Sequence, residues 1–310
     1  MGVPWPEHYA KWLDRIELAD ELGAGEVWLS EHHFYDDGYL PQPITFAAAI
    51  AARTKRIRIG TAVYLLSLRH PVQAAEEIAV VDVLSNGRLD LGVGVGYRPV
   101  EFNAFGVDPA RRYEALEERV KQVRELWANG TVTPAPVQDP FPFWGGFFGP
   151  RGAKLAGRLG MGLLAHASAV RELMTPYTQA LETAGYGADR ARVTFNVPFI
   201  VAEEPDRVRG IVEERQQWQL DSYARHDAAE ALGPRFVVQV KAEKVAKPAE
   251  RTRYAVVRPE EAARMIADAT AGLPVEVVHS WTSPGVLPDP IVDEHIRLLL
   301  TEVAPLVADL

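Results

Sequence analysis

The stretch KRIRIGTAVYLLSLRHPVQAAEEIAVVDVLSNGRLDLGVGVG, residues 55–96, decides the fold. Both of its ends alternate apolar residues with small or polar ones, which is the period of a β-strand. Its middle, residues 70–85, returns to a helical pattern and has a proline near its start. A strand–helix–strand unit of this kind predicts two parallel strands joined by a right-handed crossover.

The same alternation continues along the whole chain. We predict seven strands, at residues 26–31, 56–65, 88–96, 142–146, 162–167, 192–202 and 274–281. The predicted helices cover residues 7–23, 43–54, 70–85, 108–129, 150–159, 170–184, a region from about 205, 259–271 and 290–308. This pattern predicts an α/β fold with parallel strands, either an eight-stranded barrel that lacks one strand or an open doubly wound sheet. Because the chain opens on a helix, the missing strand would be the first.

Composition limits the class of protein. The apolar and charged fractions, 47% and 24%, are those of a soluble globular chain, and we expect one domain over residues 1–310 with an excursion at about 205–256. The formal net charge of -9 and the lack of a basic patch argue against binding to nucleic acid or to an anionic membrane. The absence of cysteine excludes disulfides and thiolate chemistry, and no membrane span or signal peptide is recognisable. We therefore expect a cytoplasmic protein.

Polar and glycine-rich segments follow the predicted strands. In a parallel barrel, the active site is built from the C-terminal ends of the strands and the loops after them. The segments at those ends are Glu31–His33, Thr61–Val63, Gly94–Arg98, Gly145–Gly152, His166 with Ser168, Asn196, and His279–Trp281. We predict that they gather on one rim of the barrel.

Each of these residues also has an ordinary structural interpretation. His32 and His33 are neighbours, so on a strand they would point to opposite faces and could not both ligate one ion; we expect no metal site. A histidine beside a strand is either a hydrogen-bonded structural residue or a catalytic one. We interpret Asp82 and Glu101 as capping or pairing near helix termini, and Trp281 as either a core residue or an aromatic that faces a cofactor.

The glycine runs do not match the common phosphate-binding motifs. In GVGVG, residues 92–96, Tyr97 stands where the dinucleotide fingerprint requires its third glycine. The run GGFFGPRGAK lacks the lysine–hydroxyl pair of a P-loop. What remains is a glycine-rich turn with Arg151 that opens a helix near Pro150. It is either a tight turn after a strand or a phosphate site at a helix N-terminus.

Several segments together resemble the bacterial luciferase-like flavin monooxygenase family. They are EVWLSEHHF, the run from His32 to Asp108, PFWGGFFGPRGAKLAGRLGMGLL and RPEEAARMIADATAGLPVEVVHSW. The resemblance implies a TIM barrel of the (β/α)8 type that binds reduced FMN and uses molecular oxygen to oxygenate a small organic substrate. It further implies a separate flavin reductase and a homodimer.

The resemblance also implies roles for particular residues. His32 falls on the family's catalytic histidine, which assists the oxygen chemistry of the flavin. Ala62 and Val63 fall where the family often has a non-prolyl cis peptide beneath the flavin ring. Gly94 and Val95 replace a cysteine and an arginine of luciferase itself, so luciferase's substrate and light emission are not implied.

The predicted cofactor site has a second half around the glycine-rich turn. Gly149 and Arg151 lie in the segment that matches the family's phosphate-binding loop, although the acidic and hydroxyl residues of luciferase are replaced there. Gly146, Gly152 and Trp281 complete the predicted cofactor-binding set. A pocket lined by aromatic residues is expected from Tyr35, Tyr97, Phe147, Phe148 and Trp281.

One departure from the family and two rival functions stay open. Family members begin with a strand that this sequence lacks, so either the start codon was assigned downstream of the true one, or the barrel is open between its second and eighth strands and has a lower stability. The first rival function is hydride transfer with a deazaflavin coenzyme, without oxygen. The second is a non-catalytic flavin-binding or partner subunit, against which His32 argues, because the luciferase partner subunit has that histidine replaced. The organic substrate is not predicted.

Overall fold

All seven predicted strands form one parallel sheet in the computed structural model, which describes residues 4–228 and 253–308. Its strands are β1 (Glu26–Leu29), β2 (Arg58–Thr61), β3 (Leu89–Val93), β4 (Phe143–Gly146), β5 (Gly162–His166), β6 (Val193–Asn196) and β9 (Val275–His279). They are neighbours in chain order, with β9 next to β6, and a helix follows most of them. The sheet curls into a nearly closed barrel, which confirms the barrel interpretation over the open doubly wound sheet.

The helices surround this sheet and mostly begin with a proline. They are α1 (Trp5–Glu21), α2 (Pro43–Arg53), α3 (Pro71–Ser85), α4 (Pro99–Phe105), α5 (Arg112–Ala128), α6 (Pro150–Arg158), α7 (Val170–Thr183), α8 (Pro205–Ala228), α9 (Pro259–Thr270), α10 (Asp289–Leu298) and α11 (Ala304–Leu306). Proline suits the first helical position because its fixed φ is already helical and its missing N–H would have no partner there. Within the described part of the chain, no helix is both long and apolar enough to cross a membrane.

Successive side chains of each strand point to opposite faces of the sheet, so the two faces line different parts of the core. Leu89, Leu91 and Val93 of β3 are fully buried in the main hydrophobic cluster between the sheet and the helices. The opposite face is filled at mid-height by Trp28 and Trp144, whose rings meet edge to face with centroids 6.1 Å apart. A Cβ atom at Gly60 would overlap the Trp28 ring, so this glycine leaves the room that the tryptophan occupies.

The barrel is open between its first and last strands. β1 and β9 are the two ends of the sheet and do not pair with each other. A cavity of about 1720 Å³ is lined by both strands and by residues of α1, α8 and α10. Across this opening the Trp28 ring stacks on His279, with centroids 5.7 Å apart. The expected opening is therefore confirmed.

Two regions differ from the sequence-based expectation. The predicted strand 192–202 is divided into β6 and β7 (Phe199–Val201), because Pro198 has no N–H to continue the ladder. β7 pairs with β8 (Ala255–Val257), a strand that lies at the end of the predicted excursion and was not expected. The rest of that excursion, residues 229–252, lies outside the described residues. Helix α4 was also not predicted.

Candidate active site

The two adjacent histidines after β1 have different environments. His33 is buried, and its Nε2 lies 2.8 Å from Oε1 of Glu31. Glu31 also accepts hydrogen bonds from the backbone N–H of Leu65, at 3.0 Å, and from Arg69, at 2.6 Å. A histidine held in such a buried network ties β1 to the segment after β2, so His33 is a structural residue.

His32 points away from that network. Its Nδ1 lies 3.1 Å from Oε1 of Glu101, and its Nε2 lies 3.4 Å from the hydroxyl of Tyr97. A carboxylate can only accept a hydrogen bond, so Nδ1 of His32 carries the proton and donates a hydrogen bond to Glu101. In the neutral ring, Nε2 therefore keeps its lone pair and is the atom that can take up a proton.

Glu101 is itself firmly held. Its Oε1 accepts the backbone N–H of His33 at 3.0 Å and lies 3.4 Å from the Arg98 guanidinium. Burial acts to raise the pKa of Glu101, but the hydrogen bond and charge of His32, the His33 N–H and the Arg98 charge outweigh it, and the pKa is lowered. Glu101 is thus a buried carboxylate that is ionised at neutral pH.

The interpretation that Glu101 caps or pairs near a helix terminus agrees with its pairing to His32 and Arg98, but its contact with His32 was not predicted. Glu101 lies in the first turn of α4, and the contact was missed because α4 was not predicted and the residue comes eight positions after the end of β3. The position of this loop, after the C-terminal end of a strand, was the signal that could have found it. Asp82, by contrast, has a purely structural role, since it accepts hydrogen bonds from the backbone of Val137 and Gln138.

Aromatic rings surround the His32 imidazole. The rings of Tyr35, Tyr39, Tyr97 and Tyr223 have centroids between 4.8 and 5.8 Å from it. On one side lies a cavity of about 290 Å³, which we call the aromatic chamber; it is lined by Trp5, Tyr9, His32, Phe34, Tyr35, Tyr39 and Pro41. Tyr35 and Tyr39 also line the larger cavity, so the two spaces adjoin.

Three of the five predicted pocket aromatics face these cavities or His32. Tyr35 and Tyr97 lie beside His32, and Trp281 lines the larger cavity. The prediction was wrong for Phe147, which is buried in the core and stacks on Tyr113, because the residue after β4 turns back beneath α6. It was also wrong for Phe148, whose side chain is 84% exposed.

The predicted flavin-facing residues Ala62, Val63, Gly94 and Gly146 meet at the mouth of the barrel. The peptide bond between Ala62 and Val63 is cis, as the resemblance implied. A Cβ atom at Gly94 or at Gly146 would overlap a methyl group of Val63. The two glycines thus leave room, as expected, but in this structure the Val63 side chain occupies part of that room.

The remaining predicted cofactor residues lie at the start of α6. Gly149 is the residue before the helix, with open space where its side chain would be, and Pro150 takes the first helical position. Arg151 is exposed and lies over the Tyr113 ring, 4.2 Å from its centroid. Gly152 has a different role, because a Cβ there would overlap the Phe147 ring. No acidic residue lies in the first turn, so this helix N-terminus suits an anion.

Three further rim residues lie at the C-terminal ends of three neighbouring strands. His166, Asn196 and His279 are register partners across β5, β6 and β9. Both side-chain atoms of Asn196 and the Nδ1 atom of His279 are buried and make no hydrogen bond in the described structure. Burial, with a smaller contribution from the nearby His166, lowers the pKa of His279 to about 4. Its ring is therefore neutral at physiological pH.

Comparisons with known proteins agree with this geometry. A family model described as luciferase-like monooxygenase matches residues 2–280. The oxygenase component of the flavin-dependent trigonelline monooxygenase of Acinetobacter baylyi is 31% identical over 43% of this chain and 41% of its own length. An F420-dependent glucose-6-phosphate dehydrogenase of Amycolatopsis mediterranei is 34% identical over 51% of this chain and 53% of its own.

Solved structures extend the likeness to nearly the whole chain. The crystal structure of the monooxygenase RslO1 from Streptomyces bottropensis superposes with a TM-score of 0.80 and 27% identity, over 98% of this chain and 95% of that one. The curated relatives are matched over a smaller share, since the chain spans between 33% and 57% of the length of the first four.

Proposed function

Since the chain belongs to the luciferase-like monooxygenase family, we propose that it is a flavin-dependent monooxygenase. It uses reduced FMN and molecular oxygen to oxygenate a small organic substrate. The observation that carries this proposal is the buried His32–Glu101 pair, at the mouth of the barrel, in a chain that also has the cis peptide between Ala62 and Val63. A histidine oriented by a buried carboxylate is suited to moving a proton at a reaction centre.

The residues of the rim fit a flavin nucleotide in three ways. The Gly149–Arg151 turn at the start of α6 offers an anion site for a phosphate group. Gly94 and Gly146 leave the mouth free of side chains of their own. Asn196 and His279 present buried polar atoms that have no partner within the described residues.

Each part of the site then has a task. Bound reduced flavin supplies the two electrons that activate oxygen; the protein provides the surroundings. Glu101 holds the Nδ1–H tautomer of His32, so that Nε2 accepts or returns a proton on the side of Tyr97. The aromatic chamber and the tyrosines around His32 exclude water and hold an apolar substrate against the imidazole.

Hydride transfer with a deazaflavin coenzyme is the second candidate. The observation in its favour is the 34% identity to an F420-dependent dehydrogenase. The rim residues suit either ring, because both coenzymes carry a tricyclic ring and a phosphate. In that case His32 would exchange a proton with the substrate and oxygen would play no part.

Two partners complete the proposal. We propose that a separate reductase delivers the reduced FMN, which is supported by the trigonelline relative being named an oxygenase component. We also propose that the protein works as a homodimer, which sedimentation at micromolar concentration would test.

The deciding experiment compares the two coenzymes directly. Oxidised FMN, photoreduced FMN and the reduced and oxidised deazaflavin are titrated against the protein under anaerobic conditions, and oxygen consumption is then followed on mixing with air. We expect reduced FMN to bind most tightly and the protein to alter the rate of oxygen consumption. Tight binding of the deazaflavin with an unaltered oxygen reaction would favour the second candidate, and binding of neither would reject both.

A further inference from the structure

Asn196 and His279 are two polar residues of the rim to which the proposed function assigns no particular group of the flavin. Asn196 is the last residue of β6 and is 4% exposed, while His279 ends the neighbouring β9 at the same register. Within the part of the chain that the structure describes, neither side-chain amide atom of Asn196 has a hydrogen-bond partner, and neither has Nδ1 of His279. Three unpaired atoms therefore lie side by side on adjacent strands.

Burying unpaired polar atoms costs free energy unless a ligand or water forms hydrogen bonds with them. A buried amide normally has partners, because leaving one unpaired loses the hydrogen bonds that water would have made. The neighbouring inward residue of the same strand follows this rule, since the hydroxyl of Thr194 donates to the carbonyl of Val277 at 3.0 Å. By contrast with Thr194, the side-chain atoms of Asn196 remain available to a ligand.

The position of His279 supports this interpretation. Its ring is stacked on Trp28 at an interplanar angle of 24°, and the residue lines the large cavity at the opening of the barrel. Because burial lowers the pKa of His279 to about 4, the ring offers one donor and one acceptor rather than a charge. The site is thus polar but uncharged, and it is preorganised by the stacking.

The chemistry that complements these atoms is a lactam or imide edge on a flat ring. We propose that Asn196 and His279 bind the pyrimidine imide edge of the flavin ring. The amide oxygen of Asn196 accepts the ring N3–H, its NH2 group donates to one flanking carbonyl, and His279 donates to the other. This inference rests on the proposed function, and it applies equally to FMN and to a deazaflavin, because both carry the same edge.

The test uses FMN in which the N3 hydrogen is replaced by a methyl group. We expect wild-type protein to bind N3-methyl-FMN at least tenfold more weakly than FMN, as measured by quenching of flavin fluorescence. Asn196→Ala and His279→Phe should each weaken FMN binding about tenfold, and Asn196→Ala should bind the two flavins with affinities within twofold of each other. Phenylalanine at 279 keeps a ring against Trp28.

Thr194→Val is the matched control, because it removes a partnered hydroxyl from the same strand. We expect it to keep the tenfold preference for FMN. In the absence of flavin, Asn196→Leu should raise the thermal midpoint by a few degrees, since it removes unpaired atoms, whereas Thr194→Val should lower it.

Two results would overturn the inference, and they are distinguishable. Equal affinity of wild-type protein for FMN and N3-methyl-FMN would show that the imide edge is not recognised, while the flavin function would stand. Failure of both FMN and the deazaflavin to bind would reject the flavin function and this inference with it. The wild-type comparison needs no variant, so it decides even if a substituted chain fails to fold.

Discussion

The two ends of the barrel interior treat polar side chains differently. At the N-terminal end of the strands, which we call the floor, Asp90 accepts hydrogen bonds from Arg58 at 2.6 Å and from the Trp144 indole at 3.2 Å. Arg58 also donates to Gln138 and to the carbonyl of Gly87. At the C-terminal end, the mouth, the Glu31–His33 and His32–Glu101 pairs are also satisfied within the chain, but the Asn196 side-chain amide and Nδ1 of His279 have no partner among the described residues.

This difference separates stability from function. Polar groups that are paired within the chain hold strands together, whereas a buried group that stays unpaired costs stability unless a ligand pairs it. Among the described residues of the floor, Glu26 is an exception, because its Oε2 is unpaired and its neighbour Asp90 is also acidic, although its Oε1 lies 4.0 Å from Nε of Arg58. Substitutions at the mouth should therefore change catalysis and binding, and substitutions at the floor should change the free energy of unfolding.

The largest effect is expected at His32. His32→Gln removes the imidazole that takes up the proton, so turnover should fall by at least about 100-fold. Flavin affinity should change by less than about threefold, because the other rim residues remain. Stopped-flow turnover and fluorescence titration measure the two quantities. His70→Gln, at an exposed histidine before α3, is the control; a similar loss there, or full turnover in His32→Gln, would contradict the assignment.

The next effect concerns the floor. Asp90→Asn leaves the Arg58 guanidinium without its carboxylate, and the free energy of unfolding should fall by about 2 kcal/mol. Turnover per folded molecule should be unchanged. Urea titration measures the stability, with Asp206→Asn as the control, since Asp206 is fully exposed in its ion pair with Arg209. If Asp90→Asn lowered turnover without lowering stability, the division between floor and mouth would be wrong.

A smaller effect is expected for the residue that positions His32. Glu101→Gln keeps the shape of the side chain but can either donate to Nδ1 or accept from it, so both tautomers of His32 become populated. Turnover should fall about tenfold. Nitrogen chemical shifts of the His32 ring report the tautomer directly: Nδ1–H should dominate in the wild type and lose that dominance in the variant. An unchanged tautomer would make Glu101 a structural residue only.

The smallest effect is a pH dependence at the floor. Burial, with the nearby Asp90 charge, raises the pKa of Glu26 from 4.5 to about 7. The protonated form is favoured by folding, so this contribution to stability is complete below pH 4.5 and is lost as the pH rises through 7. Glu26→Gln should therefore match the wild type in stability near pH 4.5 and exceed it at pH 8.

Urea unfolding at both pH values, with the exposed Glu213→Gln as the control, measures this effect. If the wild type gained stability relative to Glu26→Gln between pH 5 and pH 8, the pH dependence would have the opposite sign to the one expected. Such a result would place Glu26 among the paired groups of the floor instead of making it the exception.

Local sequence determined most of the fold. The seven strands of the barrel were recognisable because each has apolar residues at period two or an apolar run, and each is followed by turn residues and a helical repeat. The rim position of His32 and of the other polar segments followed from the rule that loops after parallel strands meet at one end of a barrel, whereas the catalytic role of His32 was implied by the family resemblance.

Tertiary structure decided what the local pattern does not encode. Glu101 reaches His32 across 69 positions of the chain, and α4, which carries it, is only seven residues long, too short for a periodic signal. The strand β7, which follows the break at Pro198, finds its partner in β8, which lies more than 50 positions later. Whether Asn196 is paired or unpaired is likewise invisible in the sequence. Alternation and propensity act between near neighbours, but partners of buried polar groups are chosen by packing, and packing brings together residues that are distant in the chain.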